Sequence, residues 1–186
     1  MRVLVACEFS DTVRSAFERR GHDAWSCDLL PSDKPGNRKH IQGDVLNILN
    51  DGWDFMIGHP PCTFVCRGGL TWLNRDPGRK DKMMQAIEFF RILDNAPIER
   101  IALENPIGKL NTMYRKPDQI VYAYQFGHIY QKDICLWLKG LPKLQPTHVV
   151  PGPYKTLDFA SQNKNRWKLK VKTFTGLAKA MAEQWG

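Results

Sequence analysis

The sequence lacks any apolar run that approaches the roughly 20 residues a helix needs to cross a bilayer. It also lacks a secretory signal, because the acidic residues Glu8 and Asp11 directly follow the short apolar segment near the first residue. We therefore expect a cytoplasmic protein that has no membrane partner.

The cysteines do not form the pattern of a disulfide-bonded or zinc-binding protein. There are five, an odd number, and they are spread along the chain at Cys7, Cys27, Cys62, Cys66 and Cys135. A disulfide framework or a zinc finger needs pairs at characteristic spacings, and only Cys62 and Cys66 lie close together. We expect reduced thiols and no metal site, and we interpret Cys66 and Cys135 as structural residues.

Negative charge is also in short supply. The chain has 27 lysines and arginines against 19 aspartates and glutamates, which gives a formal net charge of +8. This excess predicts a polyanionic partner, most simply DNA in duplex or single-stranded form, although a basic surface kept for solubility has the same composition. The basic residues that we predict to contact nucleic acid are Arg67, Arg75, Arg79, Lys80, Lys164, Arg166, Lys168 and Lys170.

Short apolar segments alternate with amphipathic ones along the 186 residues. The predicted strands cover residues 2–6, 22–27, 40–42, 53–57, 100–103, 120–124 and 134–138. The predicted helices cover residues 11–21, capped by Ser10 or Asp11, 81–95 and 173–185. This alternation is typical of an α/β protein with one doubly wound, mostly parallel sheet, to which the last strands add an antiparallel edge. We expect a single domain over residues 1–186, in which residues 140–172 form a short, irregular, basic region.

The most informative stretch follows the fourth predicted strand, where Pro60 and Pro61 precede Cys62. Proline fixes φ and has no amide donor, so the strand must end there and the chain must turn out of the sheet. Ligands bind at the carboxyl edge of an open α/β sheet, and a thiol on a stiff turn at that edge is well placed to act as a nucleophile. The alternative is that Cys62 is a small buried apolar residue.

A second strand end repeats this pattern, because Glu104 and Asn105 follow the fifth strand and a proline comes directly after them. We expect Glu104 to be partly buried, which raises the pKa of a carboxyl group. A thiolate and a protonatable carboxylate on adjacent strand ends make a nucleophile and an acid. Attack on an electron-poor ring carbon needs that pair.

Three further carboxylates follow the earlier strands: Glu8 after the first, Asp28 after the second and Asp44 after the third. The carboxyl ends of parallel strands share one edge, so these groups can converge on one crevice. Carboxylate oxygens are hydrogen-bond acceptors, which suit the paired hydroxyls of a ribose. Taken one at a time, each carboxylate fits the role of a helix cap or a loop residue better, and it is their recurrence at successive strand ends that favours a functional site.

Two segments resemble motifs of one enzyme family. Gly58-His59-Pro60-Pro61-Cys62 resembles the Pro-Cys motif of DNA cytosine-5 methyltransferases, and residues 101–110 resemble their Glu-Asn motif. Residues 89–93 are similar to the helix that precedes the second motif. The whole chain resembles the small methyltransferase-like proteins found in phage genomes. The resemblance implies a Rossmann-like methyltransferase fold, S-adenosylmethionine as cofactor and DNA as substrate.

The resemblance also implies roles for individual residues. Cys62 would add to C6 of cytosine, Glu104 would contact N3 of the base, and Asn105 belongs to the same catalytic motif. Lys132 would be a further catalytic residue, at a position where the family has an arginine. The residues that would line the cofactor pocket are Glu8, Phe9, Asp28, Asp44, Pro60 and Pro61.

Two features depart from that family. The first loop, over residues 7–11, contains no glycine, so a close backbone approach to the cofactor is harder. The segment between the last predicted strand and the basic run at residues 164–172 is too short for a full target-recognition domain. Recognition of a DNA sequence would then be weak, or would require a protein partner.

Two other functions fit the same residues. An amino-methyltransferase would carry an acceptor side chain and an aromatic ring around the two prolines, where this chain has His59 and Cys62. A degenerate methyltransferase fold without catalysis would bind nucleic acid or a protein partner through its basic face. The glycine-free first loop and the short recognition region favour this last alternative over the amino-methyltransferase.

Overall fold

The computed structural model describes residues 1–71, 75–155 and 172–186, which form a seven-stranded sheet with helices on both faces. The strands are β1 (Arg2–Ala6), β2 (Asp23–Asp28), β3 (His40–Gln42), β4 (Phe55–Gly58), β5 (Arg100–Asn105), β6 (Gln119–Tyr122) and β7 (Asp133–Lys139). The α-helices are α1 (Thr12–Glu18), α2 (Arg67–Leu70), α3 (Arg79–Asp94), α4 (Leu110–Met113) and α5 (Thr175–Trp185). Two 3-10 helices cover Val45–Ile48 and Ala123–Gln125. Each predicted strand is confirmed, with ends that differ by up to two residues.

The strands lie in the order β3-β2-β1-β4-β5-β7-β6. Strands β1 to β5 pair in parallel, whereas β7 runs antiparallel to both β5 and β6. The predicted mostly parallel sheet is confirmed, and its antiparallel strand lies one position in from the edge. Because the parallel strands point the same way, the carboxyl ends of β1 to β5 lie along one edge of the sheet. Strand β7 begins at this same edge.

Helices α1 and α5 cover one face of the sheet. Strands β1 and β4 are buried along almost their whole length, as expected for parallel strands that are covered on both faces. Phe17 of α1 and Trp185 of α5 both pack edge-on against Phe55 of β4, with ring centroids 5.6 and 6.3 Å apart. These aromatic contacts fix both helices against the centre of the sheet.

Helix α3 covers the opposite face, where its Phe90 ring lies 4.9 Å from that of Trp137 in β7. The buried stripe of α3 consists of Met83, Ile87, Phe90 and Leu93. The sequence predicts Met84 and Ile92 on this stripe, and that prediction is wrong because both are exposed. Residues on one helical face recur every three or four positions, and Met84 and Ile92 fall outside the series that begins at Met83.

The loop between β1 and α1 makes its turn without glycine. Cys7 and Asp11 adopt left-handed backbone conformations, with φ of 58° and 63°. Such a conformation costs a non-glycine residue roughly 1–2 kcal/mol. The buried Asp11 carboxylate is held by Arg14, by Lys34 at 2.7 Å and by the Asn37 side chain at 2.9 Å. Burial alone would raise the pKa of Asp11, but its hydrogen bonds with Arg14 and Lys34 lower it.

Helix α1 is capped mainly by Glu8, and the prediction that Asp11 caps it is wrong. Of the predicted pair, Ser10 contributes, because its hydroxyl accepts a hydrogen bond from the Thr12 N–H at 3.4 Å. One Glu8 oxygen accepts a hydrogen bond from the Val13 N–H at 2.7 Å, and the other accepts from the Arg14 N–H at 3.0 Å. The Asp11 side chain makes no capping hydrogen bond. A carboxylate that reaches forward from the strand end thus satisfies two amides that the first turn of a helix leaves free.

The segment after Cys62 and the segment after β7 are both mostly irregular. A loop is predicted after Cys62, and the structure has the short helix α2 within it. Residues 140–155 contain no helix and none of the seven strands of the sheet, as predicted for the irregular region. The rest of that predicted region, residues 156–171, lies outside the described part of the chain. Among the described residues, no helix is both long and apolar enough to cross a membrane.

Candidate active site

Cys62 and Glu104 follow neighbouring strands. Strand β4 pairs with β5 in parallel, with Gly58 opposite Leu103, so the turn that carries Cys62 lies beside the end of β5 that carries Glu104. The two groups are close enough for the Glu104 charge to raise the pKa of the Cys62 thiol. The structure therefore brings together the two residues that the sequence predicts as nucleophile and acid.

Three contacts join the loop after β4 to the end of β5 and the loop that follows it. The Asn105 side-chain amide donates a hydrogen bond to the Pro60 carbonyl oxygen at 2.7 Å, and the Lys109 N–H donates to the Val65 carbonyl oxygen at 2.7 Å. Gly108 forms an isolated antiparallel bridge with Cys66. A Cβ at Gly108 would overlap the Val65 carbonyl oxygen, so only glycine permits this approach. The position of Cys62 therefore depends on the loop that carries Glu104.

The other side of the Cys62 loop is held by Arg79. Its guanidinium donates to the Gly69 carbonyl oxygen at 2.8 Å and to the Thr63 carbonyl oxygen at 3.1 Å, and it stacks over the Phe64 ring at 5.1 Å. Gly69 is also packed closely, because a Cβ there would overlap the Thr63 carbonyl oxygen. Arg79, which the sequence predicts to contact nucleic acid, thus donates to the backbone of the candidate site.

The Glu104 carboxylate is bound by His59. Its Oε2 lies 3.0 Å from His59 Nδ1, and the Glu104 side chain is 13% exposed. Burial alone would raise the pKa of Glu104, but the hydrogen bond from His59 and the charge of Lys132 lower it. The prediction of a raised pKa for Glu104 is therefore wrong. At neutral pH the carboxylate is ionised and acts as an acceptor, so His59 Nδ1 carries the proton of this hydrogen bond.

Lys132 lies in the segment that leads into β7. Its charge lowers the pKa values of both Glu104 and Cys62, and its Nζ lies 5.5 Å from the centre of the Phe174 ring. It is a cation whose charge partly compensates the negative charge of Glu104. The structure thus places all four predicted catalytic residues, Cys62, Glu104, Asn105 and Lys132, at one edge of the sheet.

Cys66, which the sequence predicts to be structural, lies one turn after Cys62, and its N–H donates a hydrogen bond to the Cys62 carbonyl oxygen at 2.9 Å. The hydrogen bond between the two side chains raises the pKa of Cys62, and burial and the Glu104 charge raise it further. The same hydrogen bond, together with the N–H groups of Gly68 and Gly69, lowers the pKa of Cys66 to about 6.

A cavity of about 380 Å³ opens beside this site. Its wall includes Pro61 and Phe64, which flank the pair Cys62-Thr63, and the carboxylates of Asp28 and Asp44. Burial raises the pKa of Asp28. The remaining lining residues are Cys7, Cys27, Leu29, Gly43, Val45, Leu46, Lys82, Gln85, Ala86 and Phe89. A cavity of this size, mostly apolar with a few polar groups, is typical of a small-molecule site.

Asp28 and Asp44 also make local hydrogen bonds. One Asp28 oxygen accepts from the Leu30 N–H at 2.9 Å, and one Asp44 oxygen accepts from the Leu46 N–H at 3.0 Å. These bonds orient the two carboxylates. A carboxylate offers about four acceptor positions, so each keeps capacity for a ligand.

The other predicted cofactor residues lie outside the wall of this cavity. Glu8 is buried in its capping role, and Phe9 and Pro60 are buried as well. A glutamate whose two oxygens already accept from a helix N-terminus has less capacity for a ligand than Asp28 or Asp44. A role for Glu8, Phe9 and Pro60 in cofactor binding stays a prediction.

The predicted basic contacts are only partly described. Arg67, Arg75 and Lys80 are exposed on the segment from α2 to the start of α3, next to the candidate site. The basic residues Lys164, Arg166, Lys168 and Lys170 lie outside the described residues. Their contact with nucleic acid stays a prediction.

Helix α3 forms part of the cavity wall, which the pattern of strand ends does not predict. Lys82, Gln85 and Phe89 line it from one side of that helix. Their spacing of three and four residues places them on one helical face. That face lies next to the buried stripe of α3. The spacing of these residues in the sequence could therefore have indicated a helix face beside the site.

Comparison with known proteins supports the fold. No family model matches the chain, and no curated protein matches it. A solved structure similar to it is that of a candidate DNA modification methyltransferase encoded within a prophage of E. coli. The two chains are 16% identical, with a TM-score of 0.51 over 81% of this chain and 52% of the other. This chain thus spans about half the length of that protein, and it has a Rossmann-like fold of the methyltransferase type.

Gly108→Ala tests the contact between the two loops. We expect it to lower the free energy of unfolding by about 1–3 kcal/mol, because the added Cβ forces the Val65 carbonyl group to move. Gly68→Ala is the matched control, since a Cβ there meets open space. The measurement is urea unfolding of both variants. Equal stability of Gly108→Ala and Gly68→Ala would contradict this account of the loop.

The lowered pKa of Glu104 predicts a pH dependence of stability. The ionised carboxylate stabilises the fold fully above its unfolded pKa of about 4.3, and this contribution is lost as the pH falls through the lower folded pKa. We expect the stability of the wild type relative to Glu104→Gln to fall between about pH 6 and about pH 3. The exposed Glu99→Gln provides the control in the same unfolding series. A difference that stays constant with pH would show that Glu104 has no such shift.

Proposed function

We propose that the protein transfers the methyl group of S-adenosylmethionine to C5 of cytosine in DNA through a covalent adduct of Cys62. One observation carries the proposal. Cys62 and Glu104 lie on joined loops at neighbouring strand ends, and the residues that flank Cys62-Thr63 also form the wall of a cavity with two carboxylates. The site therefore combines a nucleophile, an acceptor for a base and a place for a methyl donor.

The cavity residues fit S-adenosylmethionine. Asp28 and Asp44 are acceptors suited to the ribose hydroxyls and the adenine amino group, and apolar side chains such as Leu46 and Phe89 suit the faces of the purine. When bound there, S-adenosylmethionine supplies an electrophilic methyl group. The role of the chain is to hold that donor on the side of the cavity that Pro61 forms, next to Cys62.

Cys62 activates the target carbon. Its sulfur adds to C6, and the electron pair of the C5–C6 double bond makes C5 nucleophilic. C5 then takes the methyl group. Loss of the C5 proton to water and departure of the Cys62 sulfur, which takes back the proton from N3, restore the aromatic ring and free the enzyme.

Glu104 recognises the base as an ionised acceptor. Its carboxylate accepts a hydrogen bond from the exocyclic amino group of cytosine. As the adduct forms, the proton released by the Cys62 thiol goes to N3, and the carboxylate accepts a hydrogen bond from the N3–H group. His59 fixes the direction of this carboxylate through the bond at 3.0 Å. The lowered pKa of Glu104 thus favours a base that presents N–H donors on this edge.

DNA is the substrate that the charge of the chain favours. A base inside a duplex cannot reach a thiol on a sheet edge, so the target must leave the stack or come from a single strand. The net charge of +8 and the exposed Arg67 and Lys80 beside the site support binding to phosphates. Recognition of a sequence by so short a chain would be weak, or would come from a protein partner.

An oligonucleotide with 5-fluorocytosine tests the reaction. Fluorine at C5 cannot leave as a proton does, so the adduct should persist after methyl transfer and survive denaturing electrophoresis. We expect an adduct in the presence of S-adenosylmethionine, its loss in Cys62→Ser, and its retention in the buried control Cys135→Ala. No adduct on single or double strands, together with intact DNA binding, would identify a binding module without catalysis.

Calorimetric titration with S-adenosylmethionine tests the cavity. We expect Asp28→Ala and Asp44→Ala each to weaken binding about tenfold or more, because a hydrogen bond to a charged group contributes roughly 1.5–3 kcal/mol. Asp51→Ala, a change of an exposed carboxylate outside the cavity lining, should leave the affinity unchanged. If the wild type and the three variants bound S-adenosylmethionine with equal affinity, the binding site would lie outside this cavity.

A further inference from the structure

We propose that aromatic rings at the carboxyl edge of the sheet, together with the lysines beside them, bind the unpaired bases of a single-stranded nucleic acid. The rings, which we call the aromatic track, are those of Tyr122, Tyr124, Tyr154, Tyr130 and Phe174. This inference rests on the function proposed above for the choice of DNA as ligand, and it names the form of DNA that the chain binds.

Three tyrosines form the outer part of the track. The Tyr124 ring centroid lies 5.4 Å from that of Tyr122 and 4.2 Å from that of Tyr154, and the ring planes differ by only 15° and 18°. Tyr154 is 37% exposed, and the other two rings are half-buried. Every base has a flat π-face, so it can stack on a group of parallel rings whatever the sequence.

Backbone hydrogen bonds already hold the segment that carries Tyr154. Before it in the chain, the Val150 N–H donates to the Tyr124 carbonyl oxygen at 2.9 Å. After it, the Lys155 N–H donates to the Ile129 carbonyl oxygen at 2.7 Å. The segment is therefore fixed on both sides of Tyr154 by its main chain, and the exposed ring is available to a ligand.

A second aromatic pair leads from the tyrosines towards the candidate active site. Tyr130 forms an isolated parallel bridge with Lys155, the residue after Tyr154. The Tyr130 ring lies 6.1 Å from that of Phe174, with the two planes 27° apart. Lys132 Nζ lies 5.5 Å from the centre of the Phe174 ring. A lysine thus accompanies each group of rings.

The inner end of the track lies beside the residue that the proposed function assigns to the base. Thr173 precedes Phe174 in the chain, and its Oγ1 lies 3.5 Å from His59 Nδ1. The same nitrogen lies 3.0 Å from Glu104 Oε2. The segment that carries Phe174 is therefore in contact with the pair that would receive the target base.

The sheet places the outer end of the track at the same edge. Strands β5 and β6 both run antiparallel to β7, so they point the same way and end at one edge. Tyr122, the last residue of β6, lies opposite Asp133, two residues before the β7 partner of Asn105. Neighbouring strands lie roughly 4.8 Å apart, so β6 is about 10 Å from β5. A strand with its target base at Glu104 therefore passes the tyrosines within a few nucleotides.

The charge and the geometry of the track favour a single strand as its occupant. Lys155 is exposed and Lys132 is half-buried, and the chain as a whole carries a net charge of +8, which suits phosphates. Aromatic rings beside cations are the usual means of binding single-stranded nucleic acid. In a duplex the faces of the bases stack on one another, so tyrosine rings reach them only where the strands are open.

Binding of a fluorescently labelled oligothymidylate tests the track without the reaction, because this ligand contains no cytosine. The affinity is read by fluorescence anisotropy at a fixed salt concentration. We expect Tyr154→Ala and Tyr130→Ala each to weaken binding about tenfold, since each removes a ring on which a base stacks. Tyr154→Phe keeps the ring and should bind like the wild type. Ile92→Ala is the matched control, because Ile92 is 38% exposed on α3 and lies outside the track.

An abasic strand of the same length separates stacking from charge. We expect the wild type to bind oligothymidylate at least about tenfold more tightly than the abasic strand, and Tyr154→Ala to lose most of that difference. Lys155→Ala should weaken binding of both strands and reduce the slope of log affinity against log salt by about 0.7. Lys143→Ala, which removes an exposed lysine of the same segment outside the track, should leave the slope unchanged. Equal affinity of the wild type for the two strands would overturn the proposal.

The binding and adduct assays distinguish failure of the track from failure of the proposed function. If the wild type forms no adduct with 5-fluorocytosine while its binding of oligothymidylate depends on Tyr154, the proposed function fails and the track stands. If the adduct forms and Tyr154→Ala binds oligothymidylate as tightly as the wild type, the track fails and the proposed function stands. A folded wild type that binds no oligothymidylate would also overturn the proposal and would leave the rings as a surface for a protein partner.

Discussion

The contact between the loops after β4 and β5 is the constraint on which the site depends. The Asn105 side chain binds the Pro60 carbonyl oxygen, and the Lys109 N–H binds the Val65 carbonyl oxygen. Two adjacent parallel strands would otherwise end in independent loops, and a thiol and a carboxylate on them would have no fixed separation. Proline stiffens one loop, glycine lets the other approach, and the Asn105 amide joins them. These contacts set the positions of Cys62, Cys66 and Glu104 relative to one another.

Negative charge accumulates along this edge of the sheet, and the structure compensates it locally. Glu104 is ionised because His59 donates to it and Lys132 lies nearby. In a buried site with a low dielectric constant, each uncompensated charge would cost several kcal/mol, so these partners determine which groups are ionised. The ionised Glu104 carboxylate can therefore accept hydrogen bonds from a ligand that presents N–H donors.

Strand positions and the convergence of polar groups could be predicted from the sequence, because both follow from local patterns. The apolar segment of β4 and the prolines that follow it can each be recognised from a few consecutive residues. The pKa direction of Glu104 could not be predicted, since it depends on His59 and Lys132, which lie far away along the chain. The capping role of Glu8 and the contact between Cys62 and Cys66 were missed for a related reason. Spacing shows which residues can meet, and only the folded backbone decides which do.

The glycine-free first loop shows how such a tertiary contact changes an argument made from sequence. From the sequence, the absence of glycine from residues 7–11 predicts a turn that hinders close approach of a cofactor. Cys7 and Asp11 adopt the left-handed conformation nevertheless, and the Asp11 carboxylate, held by Arg14 and Lys34, ties the strained backbone to α1 and to the loop before β3. Because the turn is made, the missing glycine is not evidence against a methyl donor. The absence of glycine instead affects the shape of the cavity, because Cys7 forms part of a wall that a glycine would leave more open.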